Sequence, residues 1–104
     1  MQPSPQLAFT IRRAEPADAL CIGVLGMQVF LDTYATEGIR PAIAREVLES
    51  LAPEVIESLL AEPGVRFYVA ELEGHLIAFA ELAAGAAHVL ATYATPTELR
   101  RLYV

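Results

Sequence analysis

Few side chains in this 104-residue sequence are both reactive in type and set among neighbours that would change their chemistry. Glu81 falls inside the apolar run Leu76-Ile77-Ala78-Phe79-Ala80-Glu81-Leu82, and Glu98 leads into Leu99-Arg100-Arg101-Leu102-Tyr103-Val104. A carboxylate shielded by apolar neighbours holds its proton more tightly, and one brought towards neutrality can accept a proton from an ammonium. The plainer readings are a surface-exposed Glu81 and a solvated Glu98 at the start of a strand, just after Pro96. His75 and His88 have no cysteine or carboxylate cluster around them, so they read as exposed histidines and no metal is expected. Cys21 has no histidine near it in sequence and reads as a small buried apolar residue rather than a nucleophile. The sequence contains no Gly-x-Ser-x-Gly elbow, Walker-type loop or dinucleotide fingerprint.

The elements that must position these groups follow from periodicity. Phe9 and Ile11 alternate with Thr10 and Arg12, which predicts a half-buried strand over Ala8–Arg13. Pro16 and Asp18 then begin a helix, because Pro loses no hydrogen bond in the first turn and a carboxylate there favours the positive end of the helix dipole. This helix should run to about Tyr34. Leu20, Val24, Met27, Leu31 and Tyr34 recur at helical spacing, while Cys21, Leu25 and Phe30 widen the apolar surface, so the helix is expected to be covered on more than one face. Phe30 reads as core, and Tyr34 as an aromatic with a polar tip at the helix end. Gly23 and Gly26 each cost about 1 kcal/mol against Ala inside a helix, which signals close packing or a distortion near a site.

Pro41 opens a second helix with Ile43, Val47, Leu48 and Leu51 on one stripe, and Pro53 opens a short third through Val55, Ile56, Leu59 and Leu60. Val65–Leu72 and Leu76–Leu82 are separated by Glu73-Gly74, the two-residue connection of a tight antiparallel hairpin. Residues 83–94 are Ala-rich and ambiguous between helix and irregular loop. Glu98–Val104 reads as a last strand. The order of elements predicts an α+β domain with helices packed on a mostly antiparallel sheet, residues 1–7 being a flexible start and 8–104 the domain.

Composition narrows the function classes. With 55% apolar and 19% charged residues the chain suits one folded domain rather than a disordered segment. The formal charge is -6 and every basic residue is Arg, never more than two adjacent, so a phosphate-neutralising groove for nucleic acid is not expected. No segment reads as a signal peptide or membrane helix. A single cysteine cannot form an internal disulfide, which fits a reducing, cytoplasmic setting.

Three stretches together resemble the N-terminal part of the GNAT (Gcn5-related N-acetyltransferase) superfamily. They are Thr10-Ile11-Arg12-Arg13-Ala14 with Asp18; Val69-Ala70-Glu71-Leu72-Glu73-Gly74-His75-Leu76-Ile77-Ala78-Phe79-Ala80, similar to the family's central hairpin; and Glu98–Val104, similar to its fourth strand. The resemblance implies transfer of an acetyl group from acetyl-CoA, as cosubstrate, to an amine acceptor. It places pantetheine and oxyanion contacts on the backbone of Leu102, Tyr103 and Val104, a general base at Glu98 with Glu81 as the other candidate, and the acceptor pocket at Phe30, Tyr34 and the loop Thr36–Arg40. In the family a Gly-rich pyrophosphate loop follows the fourth strand, and this sequence stops before it, so a partial domain is expected. An apolar last strand also invites a second reading: a non-catalytic module that forms a homodimer, or binds a partner, by pairing or exchange of that strand.

Overall fold

The computed structural model describes residues 9–84 and 97–104. Expectations for residues 1–8, for 85–96 and for His88 lie outside them. Within the described residues the chain folds into β1 (Phe9–Arg13), a 3-10 turn (Pro16–Asp18), α1 (Ala19–Tyr34), α2 (Pro41–Leu51), α3 (Pro53–Leu60), β2 (Val65–Leu72), β3 (His75–Ala84) and β4 (Thr97–Tyr103). The four strands form one antiparallel sheet in the order β1-β2-β3-β4. Glu73 and Gly74 both take positive φ, at 51° and 81°, and close the β2–β3 hairpin with Leu72 opposite His75. That left-handed pair is one of the two conformations that two-residue hairpin turns favour.

The helices lie on one face of the sheet. Val65, Phe67 and Val69 of β2 and Phe79 of β3 point to that side and meet Ala19 and Ile22 of α1, Val47 and Leu51 of α2 and Ile56 of α3. The α1 contact is built from its smallest residues. A Cβ on Gly23 would stand 2.6 Å from the Leu51 carbonyl oxygen, and one on Gly26 would stand 2.6 Å from Leu51 Cδ2. Close packing is therefore the role of both glycines.

This geometry corrects the expected helix face. The buried positions of α1 are Ala19, Ile22, Gly23 and Gly26, while Leu20, Val24 and Tyr34 are exposed. The stripe of large apolar residues lies about a third of a turn away from the true contact, and only its Met27 and Leu31 pack against the core's edge. Cys21, expected to be buried, is exposed for the same reason. On α2, Leu48 is exposed whereas Val47 and Leu51 are buried. Pro16–Tyr34 also proves long and apolar enough to cross a membrane, with mean hydropathy 1.2. Its Ile22-Gly23-Gly26 face packs in the core like any core helix of a folded domain.

The opposite face of the sheet carries no helix among the described residues. Phe9 and Ile11 were expected to face the core, but they stand on this open side, Ile11 at 66% exposure, and Arg12 turns inward instead. Ala70, Ala78 and Ala80 floor a shallow apolar groove of about 160 Å³ there, flanked by Ile11, Tyr68 and Leu102.

Replacing Gly23 by Ala should lower stability by about 1–3 kcal/mol, the usual cost of overpacking, despite a gain in helix propensity of about 1 kcal/mol. The urea midpoint reads this directly; an unchanged midpoint would mean that α1 does not approach the α2–α3 junction this closely.

Candidate functional site

Among the described residues β4 is an edge strand, and an irregularity shapes it. Leu99 pairs with Leu82, but the next pair is Arg101 with Glu81, so Arg100 is an extra residue and β4 bulges there. Beyond the bulge Leu102 pairs with Ala80 and Tyr103 with Phe79. The Tyr103 and Phe79 rings lie 5.0 Å apart on the helix side, while Leu102 is 62% exposed on the open side.

Glu81 sits opposite the bulge and is only 1% exposed. Arg101 Nε approaches its Oε1 at 2.8 Å, without the alignment of a hydrogen bond, and Arg100 Nη1 donates to Oε2 at 3.4 Å. Arg101 Nη1 also donates to the Ser50 carbonyl at 2.9 Å, which ties β4 to the end of α2. Burying a carboxylate without partners is costly, and removing one partner of such a pair costs about 3–5 kcal/mol. Glu81 thus belongs to the core, which corrects its reading as an exposed side chain. None of the described cavities includes it. The signal was present in the sequence: Phe79, Glu81 and Ala83 alternate onto one face at period two. Glu98 pairs through its backbone with Ala83, at the far end of β4 from Leu102.

The predicted acceptor segment encloses space. Tyr34, Thr36, Glu37, Gly38, Ile39, Arg40, Ala42 and Ile43 surround a cavity of about 450 Å³ between the end of α1 and the start of α2. Phe30 does not line this cavity; its ring stands 4.9 Å from that of Tyr34 and packs on the core. Since α1 also touches β4, the helix that carries Tyr34 and the strand that carries Tyr103 belong to one packed unit. A third cavity, of about 430 Å³, brings exposed Cys21 and His75 together with Leu20, Val24 and Leu76.

A second charged group orders the entrance to α1. Arg12 makes a two-pronged contact with Asp18, Nη1 to Oδ2 and Nη2 to Oδ1 both at 2.8 Å, and its Nε donates to Glu71. The Glu15 N–H donates to Asp18 Oδ2 at 2.7 Å. The Arg12 hydrogen bonds hold the Asp18 carboxyl below its ordinary range, and the two carboxylates raise Arg12 further above its own. The sequence marks Asp18 as a helix-dipole residue and as part of the resemblance; its fork to Arg12 emerges from the structure.

Together these observations define a small α+β unit whose last described strand bulges at a buried carboxylate, with a separate substrate-sized cavity between α1 and α2. The fold is GNAT-like, as its likeness to two solved structures shows. The chain is similar to the crystal structure of PaiA N-acetyltransferase from Thermoplasma acidophilum in complex with coenzyme A, with a TM-score of 0.72 and 22% identity, over 93% of this chain and 58% of that one. It is also similar to the crystal structure of a possible acetyltransferase from Clostridium difficile 630, with a TM-score of 0.57 and 16% identity, over 92% of this chain and 57% of that one. The chain therefore spans less than three-fifths of either structure's length. No family model and no curated protein matches it.

Because Asp18 binds its proton less tightly when folded, its contribution is complete above the unfolded carboxylate pKa of about 3.9 and is lost as pH falls through the lower folded value. Stability of the wild type should fall more steeply below about pH 4 than that of Asp18→Asn. Parallel curves from urea titrations at stepped pH would remove Asp18 from acid unfolding.

Proposed function

We propose that this chain is the acyl-donor side of an N-acetyltransferase, which moves an acetyl group from acetyl-CoA to an amine. The observation that carries this reading is the likeness of nearly the whole chain to an acetyltransferase structure in complex with coenzyme A. The chemistry requires that an amine nitrogen attack the thioester carbonyl, that the carbonyl oxygen be stabilised as it gains charge, and that the amine proton leave while the thiolate departs. The end of β4 suits the donor side. Among the described residues β4 pairs with β3 alone, so backbone groups on its outer edge at Leu102, Tyr103 and Val104 are free for the amides of pantetheine and for the oxyanion. The cavity at Tyr34 and Arg40 suits the acceptor amine, and its volume lies in the range of small-molecule sites.

Glu98 is the proposed proton acceptor. Four residues of strand separate it from Leu102, about 13 Å, so its proton would pass through water. Glu81, the other carboxylate considered, faces guanidinium groups rather than a cavity. A reducing, cytoplasmic setting belongs to the same proposal and rests on the single cysteine.

One observation supports a second reading. Phe9, Ile11, Leu99 and Leu102 are exposed together on the open sheet face, a patch of the kind that marks an association surface. In this reading two copies form a homodimer, by packing this face or by pairing or exchanging β4.

Calorimetric titration of acetyl-CoA into the 104-residue protein tests the first reading. Saturable binding in the micromolar range is expected, and its absence from a folded sample would sink the reading. With binding in hand, Glu98→Gln should leave affinity within about twofold and slow transfer to a primary amine about a hundredfold; an unchanged rate would exclude Glu98 as the base. Light scattering at high micromolar concentration tests the second reading, which predicts a dimer; Ile11→Asp converts it to monomer if the open faces pack together and leaves it dimeric if β4 is paired or exchanged. A strictly monomeric wild type would end it.

A further inference from the structure

The bulge in β4 decides which face each residue beyond it occupies, and Glu81 is built to hold that bulge. In a regular strand Leu99 and Leu102, three residues apart, would point to opposite faces. Here both partner open-face residues, Leu82 and Ala80, because Arg100 is accommodated as the extra residue. Loss of the bulge would move Tyr103 away from Phe79 and turn Leu102 towards the helices, since a slip of one residue inverts every side chain. Among the described residues β4 has only one neighbour to prevent that slip. The buried Glu81 carboxylate meets both residues of the bulge, Arg101 Nε at 2.8 Å and Arg100 Nη1 at 3.4 Å, and Arg101 continues to the Ser50 carbonyl on α2. An apolar residue at this core position would pack equally well on Ala83 and Phe79 but would leave the register free.

We propose that Glu81 and Arg101 are positioning residues, a buried carboxylate and its part-buried partner that set the register of β4 and so present the Leu102–Val104 backbone for acyl transfer. The proposal deepens the acetyl-transfer reading and rests on it for its functional half. Arg101 carries the greater share, since its side chain is 22% exposed and bridges two elements, whereas that of Arg100 is 45% exposed and makes the longer contact.

The test separates register from mere stability. Glu81→Leu with Arg101→Leu removes the buried carboxylate and its part-buried partner at once, and such apolar replacement of an ion pair is often neutral or stabilising. Glu81→Gln serves as the single-site companion, and Arg100→Ala as the comparison at the exposed guanidinium. NMR reads the Phe79–Tyr103 ring contact and the Ala80–Leu102 cross-strand contact, and calorimetry reads acetyl-CoA affinity. The double variant should stay folded, lose both β4 contacts, and bind acetyl-CoA at least about tenfold more weakly; Arg100→Ala should retain the contacts. A folded double variant that keeps both contacts overturns the proposal, whatever its affinity. Loss of the contacts with unchanged affinity overturns the functional half. A wild type that binds no acetyl-CoA sinks the acetyl-transfer reading alone, and the two β4 contacts still decide the role of Glu81 and Arg101 in register.

Discussion

Gly23 lies so close to the α2–α3 junction that the Leu51 carbonyl oxygen occupies the space of a side chain, and the rest of the helix layer is arranged around that approach. With α1 seated there, Gly26 admits the Leu51 side chain, and Leu51 in turn reaches the core beside Phe79. Ile22, Leu51 and Ile56 then complete a face that matches Val65, Phe67 and Val69 on the sheet. Interiors pack at crystal-like density, so one methyl group at Gly23 would push the layers apart along their whole contact. The position of α1 also sets where its two ends emerge. One end meets the Arg12–Asp18 contact and the other opens the cavity at Tyr34.

The sheet itself is asymmetric. One face is filled by three helices, and the other presents Ile11, Tyr68, Leu99 and Leu102 over a floor of alanines. Sheets of this composition are stable when both faces are covered, and the two acetyltransferase structures that share the fold are longer than this chain. Chemistry assigned to the end of β4 therefore depends on which surface meets the open side. Both readings of function turn on that same strand: acyl transfer uses its outer backbone edge, and association uses its exposed leucines.

Much of the architecture was legible because it rests on local chemistry. Pro16, Pro41 and Pro53 each open a helical segment, and Glu73-Gly74 closes the hairpin with positive φ at both residues, one of the two conformations that two-residue loops favour. What failed had a common cause. The large apolar residues Leu20 and Val24 recur at helical spacing, yet the tightest helix packing uses the smallest residues, and α1 meets the core through Gly23 and Gly26. Phe9 and Ile11 were given an inward face because alternation reveals that a strand has two faces, and not which one a helix will cover. Of the site, the cavity around Tyr34 followed from the resemblance, whereas the engagement of Arg100 and Arg101 with Glu81 did not. That contact links residues on different strands through a bulge, and no pattern along one segment records it.

The two edge strands solve one problem in the same way at different cost. Each has a single neighbour among the described residues, and each sends an arginine across that ladder to a glutamate on the adjoining strand and onward to the helix layer. Arg12 of β1 reaches Glu71 and then Asp18, and Arg101 of β4 reaches Glu81 and then the Ser50 carbonyl. The β1 pair remains partly open to water, with side chains 35% and 30% exposed, so screening limits what it contributes and its loss is tolerable. At β4 the glutamate is closed off from solvent, and a charge there demands its partner or disrupts the core. The same device is thus a modest brace on one edge and a strict constraint on the other. The strict one stands on the strand whose backbone is proposed to meet the thioester, where a shift of one residue would misplace every group that reacts.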